Sequence, residues 1–184
     1  EVTSTQKDRD YIAAVDWRAA DKAAAEGKGD LIGGVKVLDP KKVPGLVYFM
    51  PCGKSPHGVD VSPDGKYVIG SGKLQGVTTA FNWEKVQTAM RNKDFTGEED
   101  GIPVLKYESI KDAEVPVGLG PLHTQFGTDG YAYTSLFVDT AIAKWTLGPK
   151  AGHEGEDAFK LVEKLPVQYN IGHLAAAEGD TVEP

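Results

Sequence analysis

Short apolar runs, broken again and again by Gly, Pro, Asp and Asn, make up most of the chain. Tyr11 to Val15 is β-rich and gives way to alanines with charges at helical spacing up to the Gly27-Lys28-Gly29 break, which predicts a strand and then a short helix. GVKVLD, Gly34 to Asp39, alternates small or polar with apolar residues, and GLVYFMP is almost wholly apolar. A proline closes each, and both predict short strands. In HGVDVSPDGKYVIGSG two strand-like runs flank an SPDG turn, in which Pro63 presets φ and Gly65 supplies a positive one, so the segment predicts a hairpin. VTTAFNW predicts a further strand and EKVQTAMRNKDF a surface helical insertion. IPVLKYES, YAYTSLF, AIAKWTL and FKLVEKLPVQYN predict strands, the last two separated by the polar loop PKAGHEGED. Many short strands with few helices predict an all-β architecture.

An internal repeat narrows that class. His57 is followed by Asp64-Gly65, His123 by Asp129-Gly130 and His173 by Gly179-Asp180, each ahead of strand-like sequence. The histidines stand about 66 and about 50 residues apart, and the longer interval contains the helical insertion. A unit of about 40 to 50 residues built from short strands is the length of a β-propeller blade. Blades radiate from an axis, so equivalent positions in successive blades converge, and the three imidazoles are expected to face one another at the channel mouth.

Composition removes other classes. The 184 residues are 40% hydrophobic, enough for a real core. Twenty-seven acidic against 20 basic residues give a net charge of -7, with no basic run, which argues against a nucleic-acid surface. No apolar stretch approaches the roughly 18 to 20 residues needed to span a bilayer. The one cysteine, Cys52, excludes an internal disulfide framework. The first residue is not methionine, and EGDTVEP stops within what reads as a turn. A piece of a longer chain is therefore expected, an open arc of about three blades with uncovered strand edges.

Three imidazoles without neighbouring cysteines or carboxylates suit zinc, copper, nickel or iron better than calcium or magnesium, because imidazole is a borderline nitrogen donor. His57, His123 and His173 are thus candidate metal ligands, whereas His153, among acidic neighbours and without a repeat partner, reads as a surface residue. GKGDLIGG and GSGKLQG lack the full phosphate-loop pattern, and neither Ser71 nor Ser135 stands in a nucleophile elbow. Cys52, five residues before His57, reads as a small core hydrophobe, and Tyr131 and Tyr133 as packing residues.

KSPHGVDVSPDGKYVIGSGKL, GLGPLHTQFGTDGYAYTSLFVDTAIAKW and YNIGHLAAAEGDTV resemble three signature regions of the nitrous oxide reductase family, in order and at compatible spacing. TSTQKDRDYIAAVDWRAAD also resembles that family, with weaker motifs. The resemblance implies a seven-bladed propeller holding a sulfide-bridged tetranuclear copper centre through seven histidines, of which SPHG, GPLH and IGH supply His57, His123 and His173. It implies two-electron reduction of nitrous oxide to dinitrogen and water, the chemistry of denitrification, in a periplasmic head-to-tail homodimer. Electrons would come from a donor cytochrome or cupredoxin, through a binuclear copper centre in a separate cupredoxin domain.

The departures are specific. There is no His-His pair, and four histidines cannot make seven. The cysteine-rich copper motif of the cupredoxin domain is absent, so residues 1–184 correspond to part of the propeller domain and are expected to be inactive alone. For the calcium site that the resemblance implies, Asp8 matches one acidic ligand, but Val2 stands where methionine is expected and Ser55 where asparagine precedes Pro-His. One aspartate does not hold a hard cation. Two competing readings remain: a non-catalytic propeller scaffold with incidental histidines, and a mononuclear three-histidine metal site.

Overall fold

The computed structural model describes residues 9–148 and 155–176. In chain order the elements are β1 (Asp10–Val15), α1 (Trp17–Ala25), β2 (Asp30–Ile32), β3 (Val35–Val37), β4 (Val47–Cys52), β5 (Pro56–Val61), β6 (Tyr67–Gly72) and β7 (Val77–Asn82). They continue as α2 (Trp83–Asn92), β8 (Phe95–Glu99), β9 (Ile102–Leu105), α3 (Tyr107–Ile110), β10 (Lys111–Val115), β11 (Pro121–Phe126), β12 (Tyr131–Leu136), β13 (Ala141–Thr146) and β14 (Leu161–Pro166). The strands form three four-stranded sheets, ordered β1-β4-β9-β8, β10-β7-β6-β5 and β11-β12-β13-β14, with β2-β3 as a separate two-stranded sheet. The class is all-β.

The second and third sheets are antiparallel throughout, and their central hairpins use one turn chemistry. Asp64 Oδ1 accepts from the Lys66 N–H at 3.0 Å and Asp129 Oδ1 from the Tyr131 N–H at 3.3 Å, while Gly65 and Gly130 take φ of 67° and 80°. These are the local side-chain turns that Asp-Gly sequences favour. Their recurrence gives the first two units of the internal repeat a structural basis; Gly179-Asp180, in the third, lie outside the described residues.

Both faces of the second sheet are covered, which explains why β6 is buried at every position. Tyr67, Ile69 and Ala80 join Phe126, Ala132, Leu136, Ala143 and Trp145 in one core against the third sheet. Val68 and Phe81 join Ile12, Met50, Cys52, Leu105 and Ile110 in a second core against the first sheet. Alternation sends successive residues of one strand into different cores.

The expected surface helical insertion forms as α2, but the chain that follows it returns to a sheet. Asn82 caps α2 by accepting from the Glu84 and Lys85 N–H groups, and Val86 and Ala89 are buried. After it, β8 and β9 form a hairpin whose inner strand, β9, runs parallel to β4, so a segment inserted into the second sheet completes the first. IPVLKYES is a strand only as far as Leu105, because the chain then turns into α3. GVKVLD forms a short strand, as expected. Among the described residues its β3 pairs only with β2, in a ribbon whose Leu31, Ile32 and Val35 are exposed.

Arg9, Tyr107 and Glu114 tie the first and second sheets together. Tyr107 Oη donates to Glu114 Oε1 at 2.6 Å, Arg9 Nη1 donates to the same oxygen at 2.8 Å, and the guanidinium lies 3.6 Å from the Tyr107 ring centroid. Burial opposes the charged carboxylate, but hydrogen bonds from Tyr107 and Arg9 outweigh it and hold Glu114 below the usual carboxylate range.

Candidate metal centre

His57 and His123 lie at matching irregularities in the first strands of their sheets. Pro56 pairs with Gly72 and Val59 with Gly70, so β5 carries one residue more than β6 across the His57-Gly58 step. Pro121 pairs with Leu136 and Thr124 with Thr134, which places the same extra residue at Leu122-His123 in β11. A bulge of this kind re-aims a side chain that strict alternation would place elsewhere. The bulged backbone of His123 is served by Ser135, whose Oγ accepts from the His123 N–H at 3.3 Å and donates to the His123 carbonyl at 3.4 Å.

The two strands meet at Gly58. A Cβ there would overlap the carbonyl oxygen of Leu122, so the approach of β5 to β11 requires glycine for space. This closeness brings the His57 and His123 ring centroids to 5.2 Å, nearly perpendicular at 87°. His173, on irregular chain beyond β14, lies 4.2 Å from His123 with the rings stacked at 26°, and 6.3 Å from His57. Three histidines far apart in sequence thus form one cluster. His57 and His173 are exposed, whereas the His123 side chain is 22% exposed and enclosed by its neighbours.

Asp60 is a member of this site that the sequence did not single out. Its Oδ1 lies 3.3 Å from His123 Nδ1, and its Oδ2 accepts from the Thr124 N–H at 2.8 Å. Strict alternation places residues 57 and 60 on opposite faces of a strand, but the bulge between them changes that parity. The third sheet is anchored below the site by a buried polar chain. Thr124 Oγ1 and Thr134 Oγ1 are 2.8 Å apart, and Trp145 Nε1 donates to Thr134 Oγ1 at 2.8 Å.

Cys52 does not join the cluster. It is fully buried in the core between the first and second sheets, and a Cβ on Gly70 would lie 2.6 Å from its sulfur. Burial raises its thiol to about 11. The folded protein should therefore react with a thiol reagent near neutral pH on the order of 100-fold more slowly than an ordinary cysteine. Mass spectrometry of alkylated protein checks this, with rapid labelling expected only after denaturant is added. His153, Asp8 and Val2 lie outside the described residues. Ser55 is described, with φ of 51° and its N–H donating to Asp10 Oδ2 at 2.7 Å.

As they stand, no three His, Cys, Asp or Glu groups among the described residues form a ready cage for a metal ion. The donor types nevertheless fit a borderline metal: three imidazoles in one cluster, two of them open to solvent, with one ring held from behind by a carboxylate. Among the described residues no helix is long and apolar enough to cross a membrane.

Fold and site together define an all-β chain whose sheets gather a histidine cluster where two of their first strands meet. No family model matches the chain. The chain is related to the nitrous-oxide reductases. It is 36% identical over 166 residues to the nitrous-oxide reductase of Cupriavidus necator, covering 88% of this chain and 24% of that protein. It is 34% identical over 163 residues to that of Ralstonia nicotianae, with coverage of 88% and 24%. For Stutzerimonas stutzeri the figures are 32% over 185 residues, with 97% and 27% covered. The chain spans about a quarter of the length of these curated relatives. Among solved structures, hydrazine synthase of Kuenenia stuttgartiensis aligns with 13% identity and a TM-score of 0.40 over 62% of this chain and 24% of that one. A periplasmic gluconolactonase of Pseudomonas aeruginosa aligns with 19% identity and a TM-score of 0.38 over 67% and 27%. Both similarities are too distant to define the architecture further.

Proposed function

We propose that this chain is a segment of the propeller domain of a nitrous-oxide reductase, and that His57, His123 and His173 are three ligands of its copper centre. The convergence of the three rings, at centroid distances of 4.2 to 6.3 Å, is the observation that carries this reading. The curated relatives support it by name. Sheets packed face to face, with their first strands side by side, are what neighbouring propeller blades require.

Bound copper would supply the electrons that reduce nitrous oxide to dinitrogen and water. The histidines' task is to act as neutral donors, each with one ring nitrogen free of its proton. The bulges in β5 and β11 aim two of these rings, and the Gly58 contact sets the separation of their strands. The remaining ligands, the cupredoxin domain and the electron donor belong to the rest of the protein.

Replacing His57, His123 and His173 one at a time by alanine in the intact protein tests the assignment. Each change should lower copper per chain and abolish nitrous oxide reduction, with the overall circular dichroism preserved. Unchanged copper and activity in all three variants would leave a scaffold with incidental histidines. A parent protein that binds one copper per site, with no cluster spectrum, would leave a mononuclear centre.

A further inference from the structure

We propose that Asp60 is a positioning residue for the copper centre, holding His123 as the tautomer protonated on Nδ1 so that Nε2 is the nitrogen offered to metal. This rests on the copper reading for its purpose, but its geometry stands apart from it. The carboxylate bridges two neighbouring groups of β11: Oδ1 is 3.3 Å from His123 Nδ1, and Oδ2 accepts from the Thr124 N–H at 2.8 Å. An ionised carboxylate only accepts hydrogen bonds, so its contact with Nδ1 is satisfied when that nitrogen carries the proton. Carboxylates behind a ligating imidazole commonly fix its tautomer and orientation in this way.

Three features make Asp60 more than a passing surface contact. Its side chain is 15% exposed, which leaves little room for water to replace the imidazole. Its second oxygen is held by the backbone of Thr124, whose hydroxyl pairs with Thr134 above the buried Trp145, so the carboxylate is fixed to the core of the third sheet. It also stands on β5, three residues after His57, so one strand supplies a candidate ligand and, across the Gly58 contact, the residue that orients a second. Asp60 thereby couples the two sheets at the place where their histidines meet.

The test is neutron diffraction from deuterated, copper-free intact protein, crystallised at about pH 8.5, where histidine is ordinarily neutral. A deuteron on His123 Nδ1, directed at Asp60 Oδ1, is the expected result. A deuteron on Nε2 with Nδ1 bare would overturn the proposal, whether or not copper binds. In parallel, D60N should retain copper against a chelator roughly 10- to 100-fold less well than the parent. D60E, which keeps acceptor oxygens for both Nδ1 and the Thr124 N–H, should recover part of that loss, whereas the single amide oxygen of D60N can serve only one of them. Retention equal to the parent in D60N would also overturn the proposal. If D60N fails to fold, the parent's deuteron position decides alone. If the parent binds no copper, the copper reading fails while the tautomer result still judges Asp60.

Discussion

Gly58→Ala is expected to be among the most damaging single-methyl changes in the protein, with a loss of about 3 kcal/mol or more in unfolding free energy. The added Cβ would overlap the Leu122 carbonyl oxygen, a backbone atom that no side-chain rotation can move. Relief requires β5 and β11 to separate, and separating them pulls His57 from His123. Stability and copper content should therefore fall together. Gly65 provides the contrast. A Cβ there meets nothing within 4 Å, but its φ of 67° disfavours other residues, so Gly65→Ala should cost only about 1 kcal/mol and leave the histidine cluster intact. Urea denaturation of the two variants checks the difference. Equal losses would mean that the strand contact is not tight.

Trp145→Ala should cost about 3 to 5 kcal/mol, the usual range for emptying a large aromatic site. Trp145 is fully buried among Phe126, Ala132, Leu136 and Ala143, and its indole N–H satisfies Thr134. Trp145→Phe keeps most of the volume and removes the donor, so about 1 to 2 kcal/mol is expected. Trp17, 62% exposed on α1, is the control, and its alanine variant should stay within about 0.5 kcal/mol of the parent. A fluorescence-detected denaturation series that ranks the three in this order supports the described core. A tolerant Trp145 would contradict it.

How much of this was legible in the sequence depended on whether the signal was local. Asp-Gly turns, alternating runs and prolines at strand ends act over a few residues, so the hairpins around Gly65 and Gly130 could be read directly. Repetition then singled out His57, His123 and His173 above His153. The long-range pairings could not be read. FTGEE and KDAEV are mostly polar and become β8 and β10 because neighbouring strands offer them hydrogen-bond partners, not because they alternate. The parallel pairing of β9 with β4 joins segments far apart in the chain, and nothing in IPVL specifies that partner.

The same limit hid Asp60. In HGVDV a strict two-residue period separates it from His57, and only the bulge reverses that parity. The Pro-His-Gly and Pro-Leu-His sequences can be seen afterwards as the places where the extra residue enters. The GVKVLD run is legible as a strand, but its place in the fold is not. Its alternation is real, but it belongs to an exposed ribbon and not to a core sheet, because periodicity reports a strand without reporting what covers it.

The central claim is that three imidazoles brought together by separate parts of the chain hold one copper centre. Anomalous diffraction at the copper edge, from crystals of the intact protein, tests it most directly. Copper peaks are expected at about 2 Å, the ordinary metal–imidazole distance, from a ring nitrogen of each of His57, His123 and His173. Copper located elsewhere, with these three rings unliganded, would contradict it.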